Sequence, residues 1–232
     1  MLITIDSRLI AQYPSLCIGV VAARAVNNRT PGAAAQLLAV RVAAARQALG
    51  TMPPGQHPRI IPWRNAYSAF GAKPSKYNSS VEALLRRVQK GDALPSINPL
   101  VDLYNAVSLQ YVIPVGGDDL AKVEGNIALT YAAGNERYVP LHSSAPETPR
   151  PGEVVYADER DILCRRWNWR EGDKTKLTEE TQEAVLFLEG LSPVTREEIA
   201  AAARELAELI AVHCAGQCTV HLLTADALSC EI

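Results

Sequence analysis

The chain has 232 residues, of which 48% are hydrophobic and 21% charged, so it can bury a sizeable core and is expected to form one domain over residues 1–232. Its formal net charge of −2 excludes attraction of nucleic acid by the field of the whole molecule, and any such contact must come from a local basic patch. No apolar run long enough for a membrane span is present, and five cysteines without a recognisable signal peptide indicate reduced thiols in the cytoplasm.

The first half of the chain contains one predicted strand and several predicted helices. Residues 16–26, "LCIGVVAARAV", predict a buried strand that ends in a turn. The alanine- and leucine-rich residues 31–50 predict a helix that begins at a proline and ends at a glycine. Residues 53–80 predict a surface loop with one short helix at "WRNAYSAFG", and residues 79–90 predict a capped amphipathic helix.

The second half mixes short strands with two further helices. Residues 96–132 predict a short helix and then strands, and residues 126–142 predict two strands around an "AAGNE" hairpin turn. Residues 146–169 predict a loop followed by two strands that turn at "ADERD". Residues 191–224 predict a long amphipathic helix and a final strand. Because helices and strands interleave irregularly, the predicted class is α+β.

The sequence lacks the motifs that mark phosphate-binding loops, serine nucleophiles and zinc sites. The run "PVGGDD" lacks the spacing of a phosphate-binding loop, and no Gly-x-Ser-x-Gly motif occurs. The segment "HCAGQCTVH" offers His213, Cys214, Cys218 and His221, but this spacing is not typical of zinc sites, so no metal and no cofactor are predicted. His142 is either a general base or a surface loop histidine, and the lack of a neighbouring partner in sequence favours the surface.

Two stretches resemble a known family. The run "INPLVDLYNAVSLQYVIPVGGDDL" is similar to the Asn-Pro-Val-Val-Asp-Val-Thr-Asn-Tyr-Val run and the following Pro-Leu-His turn of the B3/B4 module in the phenylalanyl-tRNA synthetase beta subunit. The run "REGDKTKLTEETQEAVLFLEG" is similar to the module's Gly-Gly-Glu-Ser-Glu-Val-Thr-Glu-Glu-Thr segment. This likeness spans residues 59–191, and the terminal segments are expected to complete the same domain.

The runs "KPSKYNSSVEALLRRV", "PVGGDDL" and "CRRWNWREGDKTKLTEET" resemble more closely the free-standing B3/B4-domain proteins, which have no synthetase core. The resemblance implies mixed and antiparallel sheets with helices packed on them around a central cleft. The chain is too short to hold an aminoacylation domain, so a complete synthetase is excluded.

In that family the module edits, because it hydrolyses the ester of tyrosine mistakenly attached to tRNA. The resemblance therefore implies tRNA or aminoacyl-tRNA as partner and an aminoacyl-ester hydrolase as activity. The asparagine that lines the family's pocket corresponds to Asn105, and Tyr104 stands where the family has threonine. The acidic residue that recognises the substrate corresponds to Asp173 or, within the uncertainty of the register, to Glu171.

The chain departs from the family at Gly116, which replaces the histidine of the Pro-Leu-His turn. Glycine lets a ligand approach the backbone closely, so Gly116 and Gly117 are expected to line a reshaped substrate pocket. Two functions stay open: hydrolysis of mischarged tRNA, or a non-catalytic module that binds RNA, an amino acid or another small ligand in the retained cleft. A protein-interaction domain is a weaker third, and the sequence does not predict the oligomeric state.

The segment "ILCRRWNWRE" places two tryptophans among cations. If it is extended, alternation turns Arg166, Asn168 and Arg170 to the face opposite the tryptophans. The family likeness favours these three side chains in the cleft as substrate-binding groups, with the tryptophans as its floor. The alternative is that the tryptophans pack in the core while the arginines lie in solvent or pair with nearby acids.

The segment "KPSKYN" predicts a local basic patch. Lys73, Lys76, Tyr77 and Asn78 precede a helix and offer charge and one aromatic ring for the end of a tRNA. The alternative is an ordinary solvated loop.

Overall fold

The structure is a computed structural model that describes residues 1–30, 32–92 and 94–232. The helices are α1 (Ser7–Gln12), α2 (Gly32–Leu49), α3 (Ile61–Ala69), α4 (Ser80–Lys90), α5 (Pro99–Tyr111) and α6 (Arg196–Cys214). The strands are β1 (Leu2–Ile5), β2 (Cys17–Arg24), β3 (Val115–Asp119), β4 (Ile127–Tyr131), β5 (Val154–Ala157), β6 (Ile162–Arg165), β7 (Arg170–Glu171), β8 (Ala184–Gly190), β9 (Gln217–Leu223) and β10 (Ser229–Glu231).

The strands form two sheets. The larger has six strands in the order β10-β1-β4-β5-β6-β7, and all its pairs are antiparallel except β1 with β4. The smaller has four antiparallel strands in the order β3-β8-β2-β9. Strands β7 and β3 are therefore edge strands of their respective sheets.

The two sheets pack face to face, and helices cover the outer face of the smaller one. Alternation along β2 sends Ile18 and Val20 into the core between the sheets and Val21 and Ala23 into the core beneath the helices. Helix α3 contributes Trp63 to the inter-sheet core. The order of layers is thus large sheet, small sheet and helices.

Capping residues determine where α4 and α6 begin and where α4 ends. Ser79 accepts a hydrogen bond from the amide of Glu82 at the start of α4, and Gly91 ends that helix in the left-handed conformation. Thr195 and Glu198 form a capping box at the start of α6. The predicted helices over residues 31–50, 79–90 and 191–214 are confirmed, although Pro31 lies outside the described residues.

The chain ends contribute to the large sheet. Strand β1 lies between β4 and β10, and the carbonyl of Met1 accepts a hydrogen bond from the amide of Ile232 at 3.0 Å. Neither β1 nor α1 is predicted from the sequence, because β1 has only four residues and its partners are far away along the chain. Side chains of β1 and α1, such as Ile3 and Leu9, pack in the same core as side chains of residues 59–191.

The α+β class is confirmed, and two predicted details are wrong. Residues 137–140 make only isolated bridges, so the second strand of the predicted 126–142 hairpin does not form a regular ladder. Strand β6 ends at Arg165, and the next four residues form a turn. Among the described residues, no helix is long and apolar enough to cross a membrane.

Candidate active site

A small cavity lies between the sheets where edge strands β3 and β7 face each other. Its volume is about 20 Å³, enough for one water-sized group. Its walls come from β3, β5, β6, β7, β8, the turn before β7 and the first residue of α4. The lining residues are Ser80, Val115, Gly116, Asp118, Tyr156, Cys164, Trp167, Asn168, Glu171, Phe187 and Glu189.

Glu189 is the most completely bonded acid of the cavity. Alternation along β8 places it on the inter-sheet face, where it is 2% exposed. Its carboxylate accepts hydrogen bonds from Tyr156 Oη at 2.7 Å, Trp167 Nε1 at 2.7 Å and Asn168 Nδ2 at 2.6 Å. Burial raises the pKa of Glu189 to about 7, although the three donors favour its charged form.

Asp118 and Glu171 are two further acids of the same cavity. Asp118 accepts a hydrogen bond from Thr175 Oγ1 at 2.5 Å, and burial raises its pKa to about 7 despite that donor. Burial, followed by the charges of Asp118 and Glu189, raises the pKa of Glu171 well above its ordinary value. Burial and the neighbouring charges thus favour the protonated form of Glu171, while Asp118 titrates near neutral pH.

Two polar atoms of the cavity have no protein partner. Ser80 Oγ and Glu171 Oε2 are buried and make no hydrogen bond with any described residue. Both residues line the same small space. A group that fills this space is therefore offered one hydroxyl and one carboxyl oxygen at once.

Further titratable groups lie near the acids. The pKa of the Tyr104 phenol is raised by burial and then by the charges of Glu171 and Asp118, so its side chain lies within their field. Burial and the same carboxylates raise the pKa of the Cys164 thiol well above its ordinary value. The thiol is therefore protonated and is not an activated nucleophile.

The four-residue turn after β6 distributes its side chains in two directions. Arg166 and Trp167 both adopt left-handed backbone angles, with φ of 48° and 66°. Trp167 is fully buried and lines the cavity together with Asn168, whose Oδ1 accepts a hydrogen bond from Tyr67 Oη at 2.9 Å. The predicted strand alternation is therefore wrong, because a turn does not alternate faces.

The predicted cleft groups of this segment are only partly brought together. Asn168 lies in the cavity as predicted, but Arg166 points to a separate pocket and Arg170 is exposed, donating to the carbonyl of Leu141 at 3.0 Å. Trp167 is a wall of the cavity, while Trp169 packs against Tyr77 at 4.9 Å between ring centroids. Neither tryptophan forms an open stacking floor.

Of the predicted catalytic residues, Glu171 lines the cavity and two others do not. Asp173 lies beyond Gly172, where its carboxylate bonds Lys176 Nζ at 2.9 Å and accepts from the His142 amide. The lysine bond is the main reason that the pKa of Asp173 is lowered. Asn105 is half-buried on α5 and does not line the cavity. Gly116 lines it, and Gly117 lies beside it on β3.

Three of the four residues predicted to bind RNA line a second pocket, of about 210 Å³. These are Lys73, Lys76 and Tyr77. Asn78 is half-buried and lies outside the lining. The structure adds Phe70, Gly71, Ala72, Arg150, Glu153 and Arg166 to this pocket.

The sequence reading missed Ser80, Asp118 and Glu189 as site residues. Glu189 carried a signal, since it is the acid in the otherwise apolar strand "AVLFLEG". Asp118 follows two glycines in the run "PVGGDD", whose sequence carries no motif that marks an acidic site residue. Among the described residues, no group of three or more histidine, cysteine or acidic side chains has an arrangement that would hold a metal ion.

Comparison with known proteins identifies the family. The family model of the B3/4 domain matches residues 62–215, which is more than half of the chain, so the chain belongs to this family. The phenylalanine–tRNA ligase beta subunit of Fusobacterium nucleatum is 31% identical over 134 residues, which are 58% of this chain and 16% of that subunit. The match thus spans well under two thirds of that relative.

A similar solved structure is that of an N-terminal fragment of the phenylalanyl-tRNA synthetase beta-subunit from Pyrococcus horikoshii. It has a TM-score of 0.49 and 11% sequence identity, and the match covers 93% of this chain and 49% of that chain. The B3/B4 resemblance expected from the sequence is confirmed by the family match.

Proposed function

We propose that this chain binds aminoacyl-tRNA and hydrolyses the ester bond of wrongly charged tRNA. The observation that carries the proposal is the set of two buried acids, Asp118 and Glu171, whose pKa values are raised beside a cavity for one water-sized group. The kinship with a phenylalanine–tRNA ligase beta subunit supplies the substrate class. The free state of all five cysteines fits action in the reducing cytoplasm.

The acidic pair suits general acid and base catalysis. A carboxylate with a pKa of about 7 is an efficient base near neutral pH, and Asp118 has this value. In the proposed step Asp118 removes a proton from a water held by Ser80 Oγ and Glu171 Oε2. The resulting hydroxide adds to the ester carbonyl carbon. The bond from that carbon to the ribose oxygen then breaks as this oxygen takes up the proton that Asp118 had removed from the water.

The same acids suit the charge of the substrate. An aminoacyl ester carries an ammonium group one carbon from the reacting carbonyl, and carboxylates that are short of counter-charge attract it. Glu189, held by three donors, is a fixed acid of the site, and Asp118 and Glu171 lie in the same cavity. Binding of a cation lowers the pKa of its neighbours, so substrate entry favours the ionised, basic form of Asp118.

The test is release of amino acid from a panel of mischarged tRNAs, corrected for spontaneous hydrolysis. We expect the wild type to accelerate release for at least one member, and Asp118→Asn to lower that acceleration by about 100-fold. Asp92→Asn is the matched control, because Asp92 is an exposed aspartate that does not line the cavity. Absence of acceleration on every member would refute hydrolysis.

A non-catalytic binding module is the second candidate. It is favoured by Gly116, which offers no side chain at the position where the resemblance predicts a histidine. This candidate predicts retention of a charged tRNA or a free amino acid with no increase in ester hydrolysis. Titration of the wild type with a non-hydrolysable amide-linked aminoacyl-tRNA separates binding from turnover.

A further inference from the structure

The second pocket concentrates positive charge on one side of the large sheet. Lys73 and Lys76 come from the loop between α3 and α4, Arg150 from the loop before β5, and Arg166 from the turn after β6. Four cations thus converge from three segments on a space of about 210 Å³. The only acidic residue in the lining is Glu153.

Arg166 is the buried anchor of this pocket. The residue is 8% exposed, and its guanidinium carbon lies 3.9 Å from the ring centre of Tyr77 and 4.5 Å from that of Trp169. Its Nη1 is buried and has no hydrogen-bond partner among the described residues. The two rings hold the guanidinium in place without supplying a hydrogen-bond acceptor in the plane of the guanidinium.

The carboxylate that lines the pocket bonds mainly to Arg165 rather than to Arg166. Glu153 accepts hydrogen bonds from Arg165 Nε at 2.7 Å and Arg165 Nη2 at 2.9 Å, whereas Arg166 Nε lies 3.8 Å away. Burial lowers the pKa of Arg166, although the charge of Glu153 favours the protonated guanidinium. Glu147 Oε2 pairs with Arg165 Nη1 at 2.7 Å as well, so the two arginines face two carboxylates. The excess positive charge of the pocket therefore comes from Lys73, Lys76 and Arg150.

We infer that this pocket binds a phosphate group, with Arg166 as the fixed guanidinium and Lys73, Lys76 and Arg150 as mobile cations around it. A stacked guanidinium presents planar donors that match phosphate oxygens, and lysines add charge that follows the anion. The exposed rim of Lys73 and Lys76 suits a phosphodiester of a single strand, and Phe70 and Tyr77 offer rings beside it.

The RNA source of that phosphate rests on the proposed function, whereas the phosphate chemistry does not. A free nucleotide or inorganic phosphate presents the same oxygens. In the RNA case the pocket holds the strand while the ester lies at the acidic cavity. Asn168 follows Arg166 by two residues and lines that cavity, so one turn joins the two sites.

The experiment measures binding of three probes to the whole chain: an RNA hairpin with a short single-stranded 3′ end, AMP and inorganic phosphate. The variants are Lys73→Ala/Lys76→Ala and Arg166→Gln, and Lys90→Ala is the control because Lys90 is an exposed lysine outside the pocket. We expect the double variant to bind RNA about tenfold more weakly. The slope of log binding constant against log salt concentration is expected to become shallower by about 0.7 for each phosphate contact removed. Lys90→Ala is expected to match the wild type.

The outcomes separate the sources and the two proposals. RNA binding that depends on the pocket supports the phosphodiester, and pocket-dependent binding of AMP or phosphate alone supports a free phosphate ligand. Equal affinity of wild type and the double variant for all three probes overturns the inference, and the exposed lysines make this result independent of the folding of Arg166→Gln. Asp118→Asn is expected to keep RNA binding, so failure of hydrolysis alone leaves the phosphate site standing.

Discussion

The carboxylate of Glu171 occupies the space that a β-carbon on Gly116 would fill. Gly116 lies on the edge strand of one sheet and Glu171 on the edge strand of the other. The glycine therefore lets an acid from the large sheet reach across to the small sheet. Its role is to make room for a protein side chain, whereas the sequence suggested room for a ligand.

Gly116→Ala is expected to impair the site while preserving the fold. The added methyl group meets only the end of the Glu171 side chain, which can rotate away at little cost in stability. We expect a change in melting temperature of a few degrees and a loss of about tenfold or more in ester hydrolysis. Thermal unfolding and deacylation of the same preparation measure both effects.

Gly117→Ala provides the contrast. A β-carbon there would lie 2.7 Å from the backbone oxygen of Val185, which cannot rotate away. We expect this variant to lose about 1 to 3 kcal/mol of unfolding free energy. If Gly116→Ala proves the less stable of the two, the close approach of Glu171 is not how the cavity is built.

Asp118 should make the protein less stable as the pH rises from about 4 to 7. Burial raises its pKa in the folded state from the ordinary 3.8 to about 7, so the folded chain keeps a proton that the unfolded chain has released. The unfolding free energy then falls by up to about 1.4 kcal/mol per pH unit within this window and levels off above it. Glu189 adds a fall in the same window.

Asp118→Asn removes the titrating group, so the variant lacks the proton that Asp118 binds in the folded state and releases on unfolding. Urea unfolding at pH 5 and pH 8 is expected to show a smaller difference between the two pH values for the variant than for the wild type. An unchanged difference would mean that Asp118 ionises freely in the folded protein.

Tyr156 stabilises the charged form of Glu189. Tyr156→Phe removes a buried donor at 2.7 Å from Glu189 Oε1. Loss of a hydrogen bond to a buried charge is expected to cost about 2 kcal/mol at pH 8 and less at pH 5, where Glu189 is protonated in both proteins. Chemical unfolding at both pH values measures this dependence.

Tyr131→Phe is the control for that experiment. The Tyr131 hydroxyl donates to Gln12 at an exposed site, so its loss should be nearly neutral at either pH. An equal cost of Tyr156→Phe at pH 5 and pH 8 would argue that the hydroxyl does not sense the charge of Glu189.

Glu171 and Asp173 are two residues apart, and substituting each in turn shows which of the two carboxyl groups the deacylation reaction needs. Glu171→Gln is expected to lower deacylation by about 100-fold, because its carboxyl group lies in the cavity. Asp173→Asn is expected to change it by less than about threefold, because that carboxylate is bound to Lys176 on another face. The measurement is kcat on the most reactive mischarged tRNA.

Asn105→Ala extends the comparison to the residue that the family resemblance assigns to the pocket. The catalytic roles of Asn105 and Asp173 stay predictions from the sequence. A loss of activity in Asp173→Asn greater than in Glu171→Gln would favour Asp173, and not the acids of the cavity, as the catalytic group.

The sequence predicts those elements whose signals are local. The helices α2, α4 and α6 carry capping residues and runs of helix-forming or regularly spaced apolar side chains, and β2 is a continuous apolar run. The irregular interleaving of helices and strands predicts the α+β class, and the family resemblance points to Glu171 and Gly116, which do lie together. The local charge of "KPSKYN" predicts the basic loop whose Lys73, Lys76 and Tyr77 line the second pocket.

The remaining features depend on contacts that are distant along the chain. The bend after Arg165 places two non-glycine residues in the left-handed region, and arginine and tryptophan give no sequence signal for this conformation. Glu189 acquires its role from donors 21 to 33 residues away, on another sheet and the intervening turn. Strand spacing identifies the face on which a residue lies but not the residue that it will meet there.

Cys164 gives the cavity a built-in chemical reporter. Its thiol lines the space between the sheets and is kept protonated by burial and by the surrounding carboxylates. Alkylation therefore proceeds only when the edge strands separate, and its rate measures how often they do so. The half-buried thiols of Cys218 and Cys230 supply reference rates within the same molecule. The frequency with which the site admits a substrate-sized molecule can thus be followed in the unaltered protein.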